Sequence, residues 1–193
     1  MPVLLRRLRD EAEDFNVDVL RPIRQTRTQL TQKTTLQRAI RLARLHPDCT
    51  AMLIIFDADN DCPMEYAAQI QEWAREASSL IPCAVVMAVK EYEAWFLATM
   101  ESLRGKAGIK DNAVSHESSE IVRGAKEAIE CQMMSGFSYM ETTHQAAFTA
   151  QFDMRTAYLN CRSFRKLVKS FGELVLADNA DIQWPPANWI LGD

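Results

Sequence analysis

Two uninterrupted apolar runs, Ala51–Phe56 (AMLIIF) and Cys83–Val89 (CAVVMAV), restrict this chain more than anything else in it. A strand that is apolar on both of its faces must be covered on both, which is the habit of a parallel sheet. Between the two runs, Pro63–Ala77 carries a helical pattern, with Pro63 suited to a first helical turn. Strand, helix and strand in that order make a βαβ unit, and such units build parallel sheets flanked by helices. The expected fold class is therefore α/β.

Other segments extend this frame. Leu4, Leu5, Leu8, Ala12 and Phe15 share one stripe, which predicts an amphipathic helix over Pro2–Phe15. Asn16–Ile23 (NVDVLRPI) reads as a strand, and Leu36–Leu45 as a helix. After Glu91 helical patterns dominate, near 92–104, 117–133, 144–160 and 163–176. The tail DIQWPPANWILGD is expected to be irregular, packed on the body or held by a partner. One compact unit in two parts results: an α/β core over 1–110 and a helical extension over 111–193. A helix at Pro2 has only Met1 to cap it, a poor N-cap, and doubly wound domains commonly begin with a strand. The expectation is a sheet whose first strand is missing.

Composition excludes several classes. No apolar run approaches the ~18 residues of a membrane span, and MPVLLRRLRDEAEDF has no signal-peptide apolar core, so a cytoplasmic protein is expected. Five cysteines (Cys49, Cys62, Cys83, Cys131, Cys161) form no C-x-x-C pair, which argues against zinc or a disulfide framework. Cys62, beside an acidic stretch, is the one candidate for a functional thiol, with a passive role as the simpler reading. His46, His116 and His144 lie far apart, and six glycines offer neither a P-loop nor a dinucleotide fingerprint. The net charge of −4 counts against a free-standing nucleic-acid binder, though a local basic face or a partner could supply the grip.

The chemistry concentrates at the ends of the two apolar runs. The first leads into Asp57, Asp59 and Asp61. In extended chain, residues two apart point the same way, so Asp57 and Asp59 could face one ion. Oxygen ligands at the carboxyl edge of a parallel sheet suit Mg²⁺ or Mn²⁺. The competing reading is a solvated acidic turn. The second run ends in Lys90, Glu91, Tyr92 and Glu93. Carboxylates delivered to one edge by two adjacent strands repel one another unless a cation or protons intervene. Alternatively, Glu91 or Glu93 serves the start of the next helix. Tyr92, Trp95, Phe96, Met100 and Leu103 follow helical spacing and read as core.

A basic segment comes later. Ser163 is a natural N-cap, and Phe164, Leu167, Val168, Phe171 and Leu174 form a buried stripe. Arg162, Arg165, Lys166 and Lys169 are left to the other faces, where they either meet phosphate or are simply solvated.

The phrases PVLLRRL, RPIR, IIFDADNDCP, VVMAVKEYEAWFLATMESLRG, GAKEAI, the Tyr139–Asp153 stretch and CRSFRKL resemble the bacterial Toprim-like family known as domain of unknown function 4276. The resemblance runs over about residues 2 to 175. It implies a Toprim-like sheet related to nucleases of the overcoming-lysogenization-defect type. By it, Asp57 and Asp59 match the family's D-x-D, and Glu91 and Glu93 match acids used around a second metal. Lys126, Ser163 and Arg165 fall within motifs of the family without an assigned role, and with Lys90, Arg162 and Lys166 they are the candidate contacts to phosphate or nucleic acid. Such proteins open with a strand and an E-G-x-x-E-like turn, and Met1 stands where that turn should be. The expected missing strand is thus the one carrying the first glutamate, through either a late start or a true loss.

The leading functional expectation is a metal-dependent, nuclease-like subunit cleaving phosphodiesters. Asp57, Asp59, Asp61, Glu91 and Glu93 would hold Mg²⁺ or Mn²⁺, and the resemblance implies bacterial defence beside an ATPase partner. The alternative is a catalytically degenerate Toprim domain that serves as a partner-binding module. A dehalogenase-type phosphatase wants Thr or Val where Asp61 stands, and a glycosyltransferase needs a sugar-nucleotide pocket of which nothing is visible.

Overall fold

The computed structural model describes residues 1–59, 61, 63–176 and 182–190; the side chains of residues 63 and 64 are left aside. Cys62 lies outside the described residues. The expected α/β class holds in its coarse form: a small parallel sheet flanked by helices, followed by a helical region. The elements are α1 (Pro2–Glu11), α2 (Arg27–Leu30), α3 (Lys33–Ala43), β1 (Met52–Asp57), α4 (Pro63–Ser78), β2 (Cys83–Ala88), α5 (Ala94–Leu97), α6 (Ala125–Cys131), α7 (Glu141–Thr149), α8 (Met154–Asn160) and α9 (Arg162–Leu176). Short 3₁₀ turns occupy Met100–Leu103, Ser119–Ile121 and Ala187–Trp189.

β1 and β2 pair in parallel, from Met52 opposite Cys83 to Asp57 opposite Ala88. Alternation along β1 sends Met52, Ile54 and Phe56 to a core with Leu36 and Ile40 of α3 and Ile70 and Ala74 of α4. Leu53 and Ile55 face the other core, built on Leu4 and Leu8 of α1, Trp95 and Phe96 of α5, and Phe164, Leu167 and Val168 of α9. The second core holds most of the aromatics. Trp95, Phe96, Phe148, Phe152 and Phe164 are fully buried, each worth roughly 1.5–3 kcal/mol of burial. Their rings meet edge to face, as for Trp95 and Phe164 at 5.1 Å.

Several expected elements are shorter or absent. The first helix stops at Glu11: Glu13 turns left-handed (φ 55°) and the Asp14 N–H returns to the Arg9 carbonyl at 3.0 Å. Phe15, expected on the buried stripe, is 73% exposed. No strand forms over 16–23. From Val17 the segment has no regular secondary structure and no ladder partner, and the guanidinium groups of Arg6 and Arg9 donate to the Val19 and Val17 carbonyls. The pattern over 92–104 divides into α5 and a 3₁₀ turn. The pattern over 117–133 breaks at Gly124, whose φ of 69° ends one turn before α6 begins. The pattern over 144–160 breaks at Asp153, whose side chain accepts from the Thr156 N–H at 3.0 Å and so caps α8. In the tail, Trp189 is buried and Trp184 meets Phe171 edge to face at 5.3 Å.

Candidate functional site: an acid cluster closed by its own chain

The carboxyl ends of β1 and β2 lie side by side, and pairing continues past both: the Ala58 N–H donates to the Ala88 carbonyl at 2.8 Å, and the Asp59 N–H to the Lys90 carbonyl at 3.0 Å. Both strands then turn left-handed, at Asp59 (φ 51°) and Lys90 (φ 62°). That turn alters the chemistry. Asp57 and Asp59 would face the same way only if the chain stayed extended between them. Instead Asp57 points inward, its Oδ1 accepting the Tyr92 N–H at 2.9 Å, while Asp59 reaches Arg27, with Nε to Oδ2 at 3.1 Å.

Arg27 takes the place expected for a metal ion. Its guanidinium pairs with Asp59 and also with Asp61. It also donates to the carbonyl of Asp57 at 3.2 Å and that of Ala58 at 3.4 Å. The fixed fork of donors suits several oxygens at once. α2 places this residue: Thr26 and Gln29 form a reciprocal capping box, which fixes Arg27 in the first turn.

The glutamates are also engaged. Glu91 accepts the Ala125 N–H at the start of α6, at 3.3 Å. Glu93 is 1% exposed and accepts from the Tyr139 hydroxyl at 2.8 Å and the Gln145 amide at 3.4 Å. Burial holds the Glu93 carboxyl above its ordinary range, against the opposing pull of the Tyr139 bond. Asp57 is pushed up to about 7, first by burial and then by the neighbouring charge of Glu93. Tyr139 is raised in turn, by burial and by Glu93. The cluster thus manages its charge with protons, hydrogen-bond donors and one guanidinium.

Among the described residues, no three His, Cys, Asp or Glu side chains come together so as to hold a metal ion. The expected Mg²⁺ or Mn²⁺ centre on Asp57, Asp59, Asp61, Glu91 and Glu93 is therefore overturned, and with it the metal-dependent nuclease. The physical reason is the left-handed turn at Asp59, which separates the two halves of the D-x-D, together with partners that each carboxylate finds elsewhere.

The residues expected at phosphate scatter. Ser163 is buried: its hydroxyl accepts from the Trp95 indole N–H at 2.8 Å and pairs with Glu120. Glu120 also accepts the backbone N–H groups of Arg162 and Ser163, both at 2.8 Å, and so caps α9. Arg165 donates to the carbonyls of Tyr158 and Leu159 at the end of α8, at 3.0 and 2.6 Å. Lys126 pairs with Glu141 at 2.8 Å, a bond that raises its pKa. Arg162 and Lys166 are exposed on α9. Lys90 lines a cleft of about 400 Å³ with Asp59, Glu91, Arg123 and Gly124.

The sequence profile of the family described as Domain of unknown function (DUF4276) matches residues 4–171. The chain belongs to that family. No curated protein and no solved structure matches it. Among the described residues of this DUF4276 chain, no helix is long and apolar enough to cross a membrane. Arg27, Tyr139 and Gln145, which engage the acids, and Glu120, which caps α9, had no site role in the sequence reading. Only Arg27 had a local signal, the Thr26–Gln29 capping box.

Proposed function

We propose that this DUF4276 protein is a non-enzymatic partner-binding module, built on a degenerate relative of the Toprim fold. One observation carries the reading: Arg27 pairs with Asp59 and Asp61 and takes the carbonyls of Asp57 and Ala58, so the edge where a catalytic ion would work is a closed latch. The division into a core over 1–110 and an extension over 111–193, and a cytoplasmic setting, belong to the same proposal. An ATPase is the first candidate partner, by the family resemblance. Lys90, Arg162 and Lys166 are the proposed contacts to any nucleic acid the partner carries, since none of them forms an ion pair among the described residues.

A cleavage assay tests the reading. Purified protein is incubated with duplex DNA, single-stranded DNA and RNA in Mg²⁺ or Mn²⁺, beside an Asp57→Asn/Asp59→Asn variant. The expected outcome is no cleavage by the wild type above that of the variant. Metal-dependent cleavage that the double substitution abolishes would overturn the proposal.

A further inference from the structure

Charge is segregated along the first quarter of this chain. Residues 10–18 (DEAEDFNVD) carry five Asp or Glu and no Lys or Arg. Residues 19–47 carry seven Lys or Arg and no Asp or Glu, in a chain whose net charge is −4. Adjoining segments of opposite sign would neutralise one another if they touched. Among the described residues no ion pair joins them: their charged side chains pair only as Arg9 with Asp10, Arg27 with Asp59 and Asp61, and Lys33 with Glu76.

The fold keeps the two segments apart. α1 turns Leu4 and Leu8 to the core that Leu53 and Ile55 face, and the acids gather at its C-terminal end. α3 turns Leu36 and Ile40 to the opposite core, with Met52 and Phe56. The helices thus cover opposite faces of the sheet. A strand paired to either edge of the sheet would lie between these layers and leave their outward sides open.

The outward sides are complementary. Opposite Leu36 and Ile40, α3 exposes Arg38, Arg41 and Leu42, with Leu45 just past its end; the two leucines are 55% and 79% exposed. This ridge runs about 10 Å from Arg38 to Leu45. On the other layer Glu11 and Glu13 are exposed, beside Phe15 at 73%. Neither these two glutamates nor Arg38 and Arg41 form an ion pair among the described residues. Acids at the C-terminal end of a helix also oppose its macrodipole, so the stability of α1 does not account for them. One surface is basic and carries leucines; the other is acidic and carries an aromatic ring.

We infer that the acidic end of α1 in one copy of the chain docks on the outward ridge of α3 in a second copy. Arg38 and Arg41 receive Glu11 and Glu13, and Phe15 packs on Leu42 and Leu45. Charge steers and orients the encounter, and the apolar groups hold it. Because the surfaces lie on opposite layers, the contact is heterologous: each copy keeps one surface free, and the chains join head to tail. The inference goes beyond the binding-module reading and stands without it.

Sedimentation velocity of the full chain tests this, at concentrations up to on the order of 1 mM in about 50 mM salt, where surface charges are little screened. The wild type is expected to associate as its concentration rises. Raising the salt to about 0.5 M should weaken association about tenfold or more. Arg38→Glu/Arg41→Glu and Glu11→Lys/Glu13→Lys, each altered only at exposed positions, should associate about tenfold more weakly or worse. Mixed in equal amounts, the two variants should recover association, because each surface again meets its opposite; misfolding of either variant would not give that recovery. A wild-type chain that stays monomeric overturns the inference, whether or not polyglutamate or duplex DNA binds at α3. So does a variant that associates as the wild type does, or a mixture that associates no better than its parts.

Discussion

Replacing Asp57 by asparagine perturbs the acid cluster with little change of shape. The amide oxygen can still accept the Tyr92 N–H that the Asp57 carboxylate accepts at 2.9 Å, so what is removed is a buried charge. The Asp57 carboxyl is raised from 3.8 to about 7, first by burial and then by Glu93. A shift of that size separates the two protonation states by roughly 4 kcal/mol. Its sign follows from linkage: with the folded value above the unfolded one, the native state binds the proton more tightly. The associated stability is therefore full below about pH 4 and is lost as the pH rises through 7. Between pH 5 and pH 8, Asp57 alone should cost the wild type about 2.5 kcal/mol. Urea unfolding of both proteins at pH 5 and pH 8 reads this directly. The Asp57→Asn protein should gain about 2.5 kcal/mol on the wild type between the two pH values, less any relaxation of the site. Parallel pH profiles would refute the reasoning, since they would mean that Asp57 is ionised in the native state at no cost.

Further predictions concern the partners of the cluster and of α9. Arg27→Ala leaves Asp59 and Asp61 without their cation and two carbonyls without a donor, and should lower stability by about 1–3 kcal/mol in thermal or urea unfolding. Ser163→Ala strands the buried indole N–H of Trp95; a loss of about 1–3 kcal/mol is expected, whereas a phosphate-contact role would leave stability unchanged. Gly172→Ala would put a methyl group 2.6 Å from Cγ of Trp184, so the tail should shift and tryptophan emission should move to the red even though alanine favours the helix.

The parts of the fold legible in the sequence were those fixed by local pattern. β1 and β2 announced themselves as continuous apolar runs, and α9 by its stripe from Phe164 to Leu174, because burial on known faces leaves a periodic trace. The breaks at Gly124 and Asp153 were less visible, since apolar spacing continues across both while a left-handed residue or a cap interrupts the helix. The strand expected at 16–23 failed for a non-local reason: a strand exists only when another chain segment pairs with it, and Val17 and Val19 are held by arginines instead. The site divides in the same way. That Asp57, Glu91 and Glu93 converge at one sheet edge was readable from the ends of two parallel strands. Their partners Arg27, Ala125 and Tyr139 come from distant positions, and those partners decide the chemistry.

The central claim is that the chain closes its acid cluster with its own cation. Titration of Mn²⁺ into the purified wild-type protein by isothermal calorimetry, beside the Asp57→Asn/Asp59→Asn variant, tests it most directly. The account predicts indistinguishable traces without a saturable transition. Saturable binding by the wild type that disappears in the double variant would contradict it.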